Sequence, residues 1–247
     1  MPDPMLWIPA VLGAFMVGVS KTGIAGLSIL SIALFNHVFP SSKQASGLVL
    51  PLLIFGDVVA VFAYRKHTQW HYLWRLFPWT AIGVVLGYFA MGRISDHAVR
   101  ILIGWIIVSL VMLSFWQKYL SGPTEDRKTA FHWSVGAIIG VTAGFITLIA
   151  NAAGPLMAVY LVAMRLPKME YVGTAAVFFL LLNLFKVPFM VDLGLITTTS
   201  FGLNLALAPA VLLGTVAGRW LLARINQNLF EQLVLSLSAF GGILLIL

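Results

Sequence analysis

Cysteine is absent from all 247 residues. That excludes disulfides, thiolate chemistry and Cys-built metal centres, and it leaves the redox compartment unread from thiols. Charge is scarce too: Asp, Glu, Lys and Arg make up 9% of the chain, against about 25% in an ordinary soluble domain. Enzyme signatures are missing, with no H-E-x-x-H and no G-x-S-x-G. Ser20-Lys21-Thr22 superficially resembles the end of a phosphate-binding loop, but the glycine before the lysine and the strand context are lacking. Without such a loop or a soluble domain, ATP cannot power this chain alone. The five His residues, at positions 37, 67, 71, 97 and 132, stand at segment ends rather than in a cluster, which argues against a metal relay. No cofactor or metal is expected.

Hydrocarbon is what the sequence has in abundance. Hydrophobic residues make up 60% of it, gathered in long runs with charges swept to their ends, which is the pattern of a bilayer protein. The net charge of +7 comes from single Lys and Arg residues scattered between the runs. Such scatter points to orientation in a membrane rather than to nucleic acid. Met1 to Ala10 lacks the basic n-region of a signal peptide and leads straight into the first apolar run, so it is expected to be retained.

Eight apolar segments follow, at 5–35, 46–64, 73–91, 97–116, 131–164, 171–190, 199–222 and 228–247. The expected fold is an all-α integral membrane protein. Segments 1 and 5 exceed the roughly 20 residues of one span and carry polar, Gly-rich interruptions, Ser20 through Gly26 and Asn151 through Pro155. Both read as broken or re-entrant helices. A hydrophilic stretch at 119–130 reads as a linker between a first membrane repeat, 1–118, and a second, 131–247. The halves resemble each other: Pro78, Gly83, Val85, Gly87, Arg93 and Ile94 recur 131 residues later as Pro209, Gly214, Val216, Gly218, Arg224 and Ile225. Asp57 corresponds roughly to Asn183. An internal duplication accounts for this ordered set.

Basic residues between the segments or near their ends suggest the topology. If all eight segments span, they divide six against seven; if segments 1 and 5 return to their own side, they divide ten against three. The second division obeys the positive-inside rule. It gives each half three crossings and makes the halves inverted repeats, a common transporter design with the site at paired helix interruptions.

Lys21, Asp57 and Lys186 lie within apolar segments, where a charge costs on the order of 3 kcal/mol. They are therefore candidates for a polar cavity, the lysines neutralising an anion and Asp57 acting as its proton or charge partner. Snorkelling lysines and a structural Asp–Lys pairing remain open alternatives. A helix restarting after a break presents unpaired N–H groups and a positive dipole end, which bind anions. Gly23, Gly26 and Gly154 would admit a ligand to the backbone, or simply allow tight packing. Pro155 suits the first turn of a restarting helix. Ser20, Thr22 and Asn151 add side-chain donors. Asn183 shares a helix face with Lys186, though a single Asn serves interhelical hydrogen bonding equally well. The Gly83/Gly87, Gly136/Gly140/Gly144 and Gly214/Gly218 spacings read as packing motifs.

With eight segments in two halves, each opening on a Gly-rich interrupted segment, the chain resembles the TauE/SafE sulfite exporter family. The matching stretches are Gly18 through Leu27, Gly144-Phe145, Asn151 through Leu156, Gly173 through Ala176, and Asn183 through Lys186. The resemblance implies a secondary, proton-linked permease of the cell inner (plasma) membrane for sulfite, an organosulfonate or a related sulfur-containing or carboxylic anion. The partners expected are that small anion and the lipid bilayer, with no nucleic acid; a homodimer stays open. The competing functions are a cation or metal-ion permease using the carbonyl ends of the same breaks and, less favoured, a membrane-embedded enzyme.

Overall fold

In the computed structural model every described element is helical; the described residues are 6–22, 27–39, 42–91, 93, 101, 105, 108, 109, 111, 112 and 133–246. They form α1 (Trp7–Thr22), α2 (Leu27–Val38), α3 (Ser42–Tyr64), α4 (Trp70–Ala90), α5 (Trp133–Ala150), α6 (Gly154–Ala163), α7 (Lys168–Asp192), α8 (Thr198–Arg224) and α9 (Gln227–Ile246), with a 3-10 turn at Arg65–His67. The expected 119–130 linker and most of the 97–116 segment lie outside the described residues, as do Gly23 and Gly26.

Segments 1 and 5 are each two helices, as their interruptions predict, whereas segments 2, 3, 6, 7 and 8 are each one. Four stretches are long and apolar enough to cross a membrane: Ala45–His67, Trp70–Ala90, Lys168–Asp192 and Ser200–Arg224, of 21 to 25 residues. At 1.5 Å per residue they reach about 31 to 38 Å, enough for a hydrocarbon core of about 30 Å. The two helices of segment 1, with 16 and 12 residues, reach only about 24 and 18 Å. Neither described helix is of that length. Instead α2 returns along α1, with the Phe35 ring over Gly13, and Ala10, Ala14, Val17, Phe35 and Val38 share one apolar cluster.

Burial departs from that of a water-soluble protein at the surface and at one polar centre. Phe62, Phe89, Leu205, Leu213 and Val216 are more than 60% exposed, whereas Asp57, Thr174, Asn183 and Lys186 are fully buried. An apolar exterior around a polar centre is what a hydrocarbon solvent selects.

The tightest packing is crossed between the two halves of the sequence. α8 lies on α1, and α4 lies on α5. At the first contact Gly18 backs onto the Val211 carbonyl and Gly214 onto that of Phe15. At the second, Gly144 backs onto the Thr80 carbonyl and Gly83 onto that of Val141. Any side chain at these positions would strike backbone, so glycine sets the helix separation. The two long helices α3 and α7 pack against each other.

Candidate functional site

This packing brings the end of α1 and the start of α2 together with the second break, Asn151–Ala153, between α5 and α6. There lies a cavity of about 40 Å³, lined by Ser20 and Lys21 of α1, Ser28 of α2, Asp57 of α3, Thr147 of α5, Asn151 and Gly154 at the second break, and Tyr171, Phe179 and Asn183 of α7. About 10–15 Å³ by this measure admits one water, so the space suits a few waters or one small ion.

A continuous polar chain crosses the cavity wall. Lys21 Nζ lies 2.7 Å from Asp57 Oδ1 and 4.6 Å from the Phe179 ring centroid. Gly56 leaves room for the Lys21 stem. The Asn183 amide donates to Asp57 Oδ2 at 2.6 Å. That contact aims its carbonyl at Lys186, whose ammonium donates to Asn183 Oδ1 at 3.2 Å, Asn151 Oδ1 at 2.6 Å and Thr147 Oγ1 at 3.1 Å. The Asn151 amide in turn donates to the Ser46 carbonyl of α3 at 2.7 Å. Every N–H of the buried ammonium thus meets an oxygen, the condition for keeping a charge inside hydrocarbon.

The sequence candidates separate on this geometry. Ser20, Lys21, Asp57, Asn151, Gly154 and Asn183 line the cavity. Lys186 stands behind Thr147, Asn151 and Asn183 and reaches the cavity through them. Thr22 is turned away, its hydroxyl donating to the Thr215 carbonyl of α8 at 2.8 Å. Asp57 pairs with Lys21, the structural pairing held open on sequence grounds.

Asn151 occupies the left-handed region at φ 52°, a conformation that Asn tolerates better than most residues. Asn151→Ala is expected to lose about 1–2 kcal/mol through backbone strain alone, whereas Asn151→Gly is free of that strain. Both lose the Lys186 anchor. In thermal unfolding, the glycine variant should hold its midpoint above that of the alanine variant, while both lose at least about tenfold in ligand affinity, the scale of one charge-assisted hydrogen bond. Equal midpoints would contradict the strain argument.

Thr147, Tyr171 and Phe179 were missed on sequence grounds. Thr147 carried a usable signal, since Asp57 and Asn183 differ by 126 positions and the same offset takes Lys21 to Thr147 and Gly18 to Gly144. Tyr171 carried none, yet among the described residues its buried hydroxyl has no hydrogen-bond partner and the residue lines the cavity.

The chain matches the profile of the family described as Sulfite exporter TauE/SafE over residues 10–245. No curated protein and no solved structure matches it significantly. The match covers both halves, both breaks and every described residue of the cavity, and the helices it spans include four of membrane length. The chain is a multi-pass membrane protein and belongs to the TauE/SafE sulfite exporter family, a family of membrane transporters.

Proposed function

We propose that this protein is a secondary transporter in the cell inner membrane that moves a small anion, with sulfite, an organosulfonate or a related sulfur-containing or carboxylic anion as its substrate. One observation carries the reading: a cavity beside the second helix break where Lys21 pairs with Asp57 while Lys186, held behind the wall by Asn151, adds a second cation against that single carboxylate. The positive excess favours an anion and disfavours the cation-permease alternative. The anion sits near Gly154, where the first turn of α6 offers N–H groups without intrahelical acceptors. The Thr147 and Tyr171 hydroxyls contact it, and Lys21 and Lys186 supply the field. The paired interruptions also fit a transport site better than the active site of a membrane-embedded enzyme.

The crossed packing supports two inverted repeats, 1–118 and 131–247. Gly83 and Gly87 match Gly214 and Gly218 in the duplicated sequence, and each pair packs on the opening helix of the opposite half. Substrate then passes by alternating access, one repeat rocking against the other around the cavity, with Asp57 as the coupling group. The α1–α2 hairpin is short enough to re-enter on its own side.

Reconstituted proteoliposomes test the reading. Preloaded sulfite or sulfonate should leave them faster than it leaves empty liposomes, and Lys21→Ala should lower that rate at least about tenfold, the effect of one lost charge-assisted contact. Flux of divalent cations with no anion flux would overturn it.

A further inference from the structure

We infer that the cavity selects its ligand by charge, taking monoanions over dianions, and that Asp57 sets this preference. The inference rests on the anion-site reading above and adds the charge class. Lys21 and Asp57 form an ion pair at 2.7 Å and cancel. Lys186 does not cancel: its ammonium donates to a hydroxyl and two amide carbonyls, all neutral. Both amides are fixed in that orientation by their other ends, Asn183 on the Asp57 carboxylate and Asn151 on the Ser46 carbonyl. With Lys186 held as the ammonium by these three acceptors, the network carries one net positive charge, and Asp57 and Lys186 are fully buried.

A monoanion brings this site to neutrality. A dianion leaves it negative, in surroundings where a charge is poorly screened. Removing the Asp57 charge raises the excess to two and makes the dianion the neutralising ligand. At separations of several ångströms and an effective dielectric near 20, one unit of charge shifts the monoanion-to-dianion affinity ratio by about tenfold to a hundredfold.

Methanesulfonate and sulfate are tetrahedral, similar in size and different by one charge, which makes them matched probes. Titrated against the purified full chain, with thermal unfolding as readout, the wild type should prefer methanesulfonate. Asp57→Asn should shift the ratio toward sulfate by at least about tenfold. The double variant Lys21→Met/Asp57→Asn lacks the same carboxylate but keeps the net charge at one, and it should return to the wild-type ratio. If Asp57→Asn gives no cooperative unfolding, Ser28→Lys adds a charge to the cavity wall without touching the pair and should shift the ratio the same way. A ratio unchanged by the added charge, or a double variant that follows the single one, overturns the charge inference while leaving the anion site standing. If neither anion stabilises a wild type that unfolds cooperatively and binds sulfite, the charge inference alone falls; if sulfite fails as well, the anion-site reading falls with it.

Discussion

Lys186→Met is expected to abolish anion-induced stabilisation and to lower the stability of the empty protein by about 2–4 kcal/mol, the net of the opposing terms that follow. The substitution leaves Asn151 Oδ1, Asn183 Oδ1 and Thr147 Oγ1 without the donor that joins them. Each buried acceptor left alone costs about 1–3 kcal/mol. Relief from desolvating the ammonium offsets part of that loss, because replacing a buried charge by an apolar group of similar shape recovers its solvation penalty. No such recovery reaches the ligand: the net charge of the site falls to zero. Thermal unfolding in detergent, with and without sulfite, checks both parts. Undiminished stabilisation by sulfite in this variant would mean that Lys186 only braces α5 against α7.

The largest effect on folding is expected at the crossed glycine contacts. Gly18→Val and Gly144→Val place a side chain against the Val211 and Thr80 carbonyls respectively. Backbone inside a helix cannot swing aside as a side chain can, so α1 must lift from α8, or α5 from α4. In hydrocarbon no solvent-driven force compensates, and association depends on close packing itself. A loss of about 3 kcal/mol or more follows from overpacking at such a contact, enough to prevent recovery of folded protein. Gly202→Ala is the control: nothing lies within 4 Å of its added carbon, and helix propensity favours alanine by about 1 kcal/mol. Expression as a monodisperse species, followed by the unfolding midpoint, distinguishes these outcomes. Wild-type midpoints for Gly18→Val and Gly144→Val would contradict the crossed packing.

Much of this architecture is legible in the sequence because hydrocarbon imposes long-range order on composition. Charges at segment ends mark where helices stop, and the polar, Gly-rich interruptions mark the separation of α1 from the returning α2 and the break at Ala150/Gly154. The site was legible in part. Asn183 and Lys186, three residues apart, do share a face and a hydrogen bond. Ser20, Lys21 and Thr22 could not act as one cluster, since successive helical residues point about 100° apart; two face the cavity and Thr22 faces α8. Tyr171 was hidden for a different reason. In an apolar helix it passes as ordinary filling, and only its place on the cavity wall gives it a polar task. The pairing of α1 with α8, and of α4 with α5, likewise depends on which glycine ridge meets which carbonyl, and spacing along one chain does not name the partner.

The measurement closest to the central claim is thermal stabilisation of the purified protein by a panel of sulfite, sulfoacetate, other small carboxylates and divalent cations, run beside Lys21→Ala. A ligand that binds the native state alone raises its apparent stability. The cavity geometry predicts that sulfite or a sulfonate stabilises the wild type and has no effect on Lys21→Ala, while divalent cations act on neither. Stabilisation by divalent cations alone, undiminished in Lys21→Ala, would contradict the anion site.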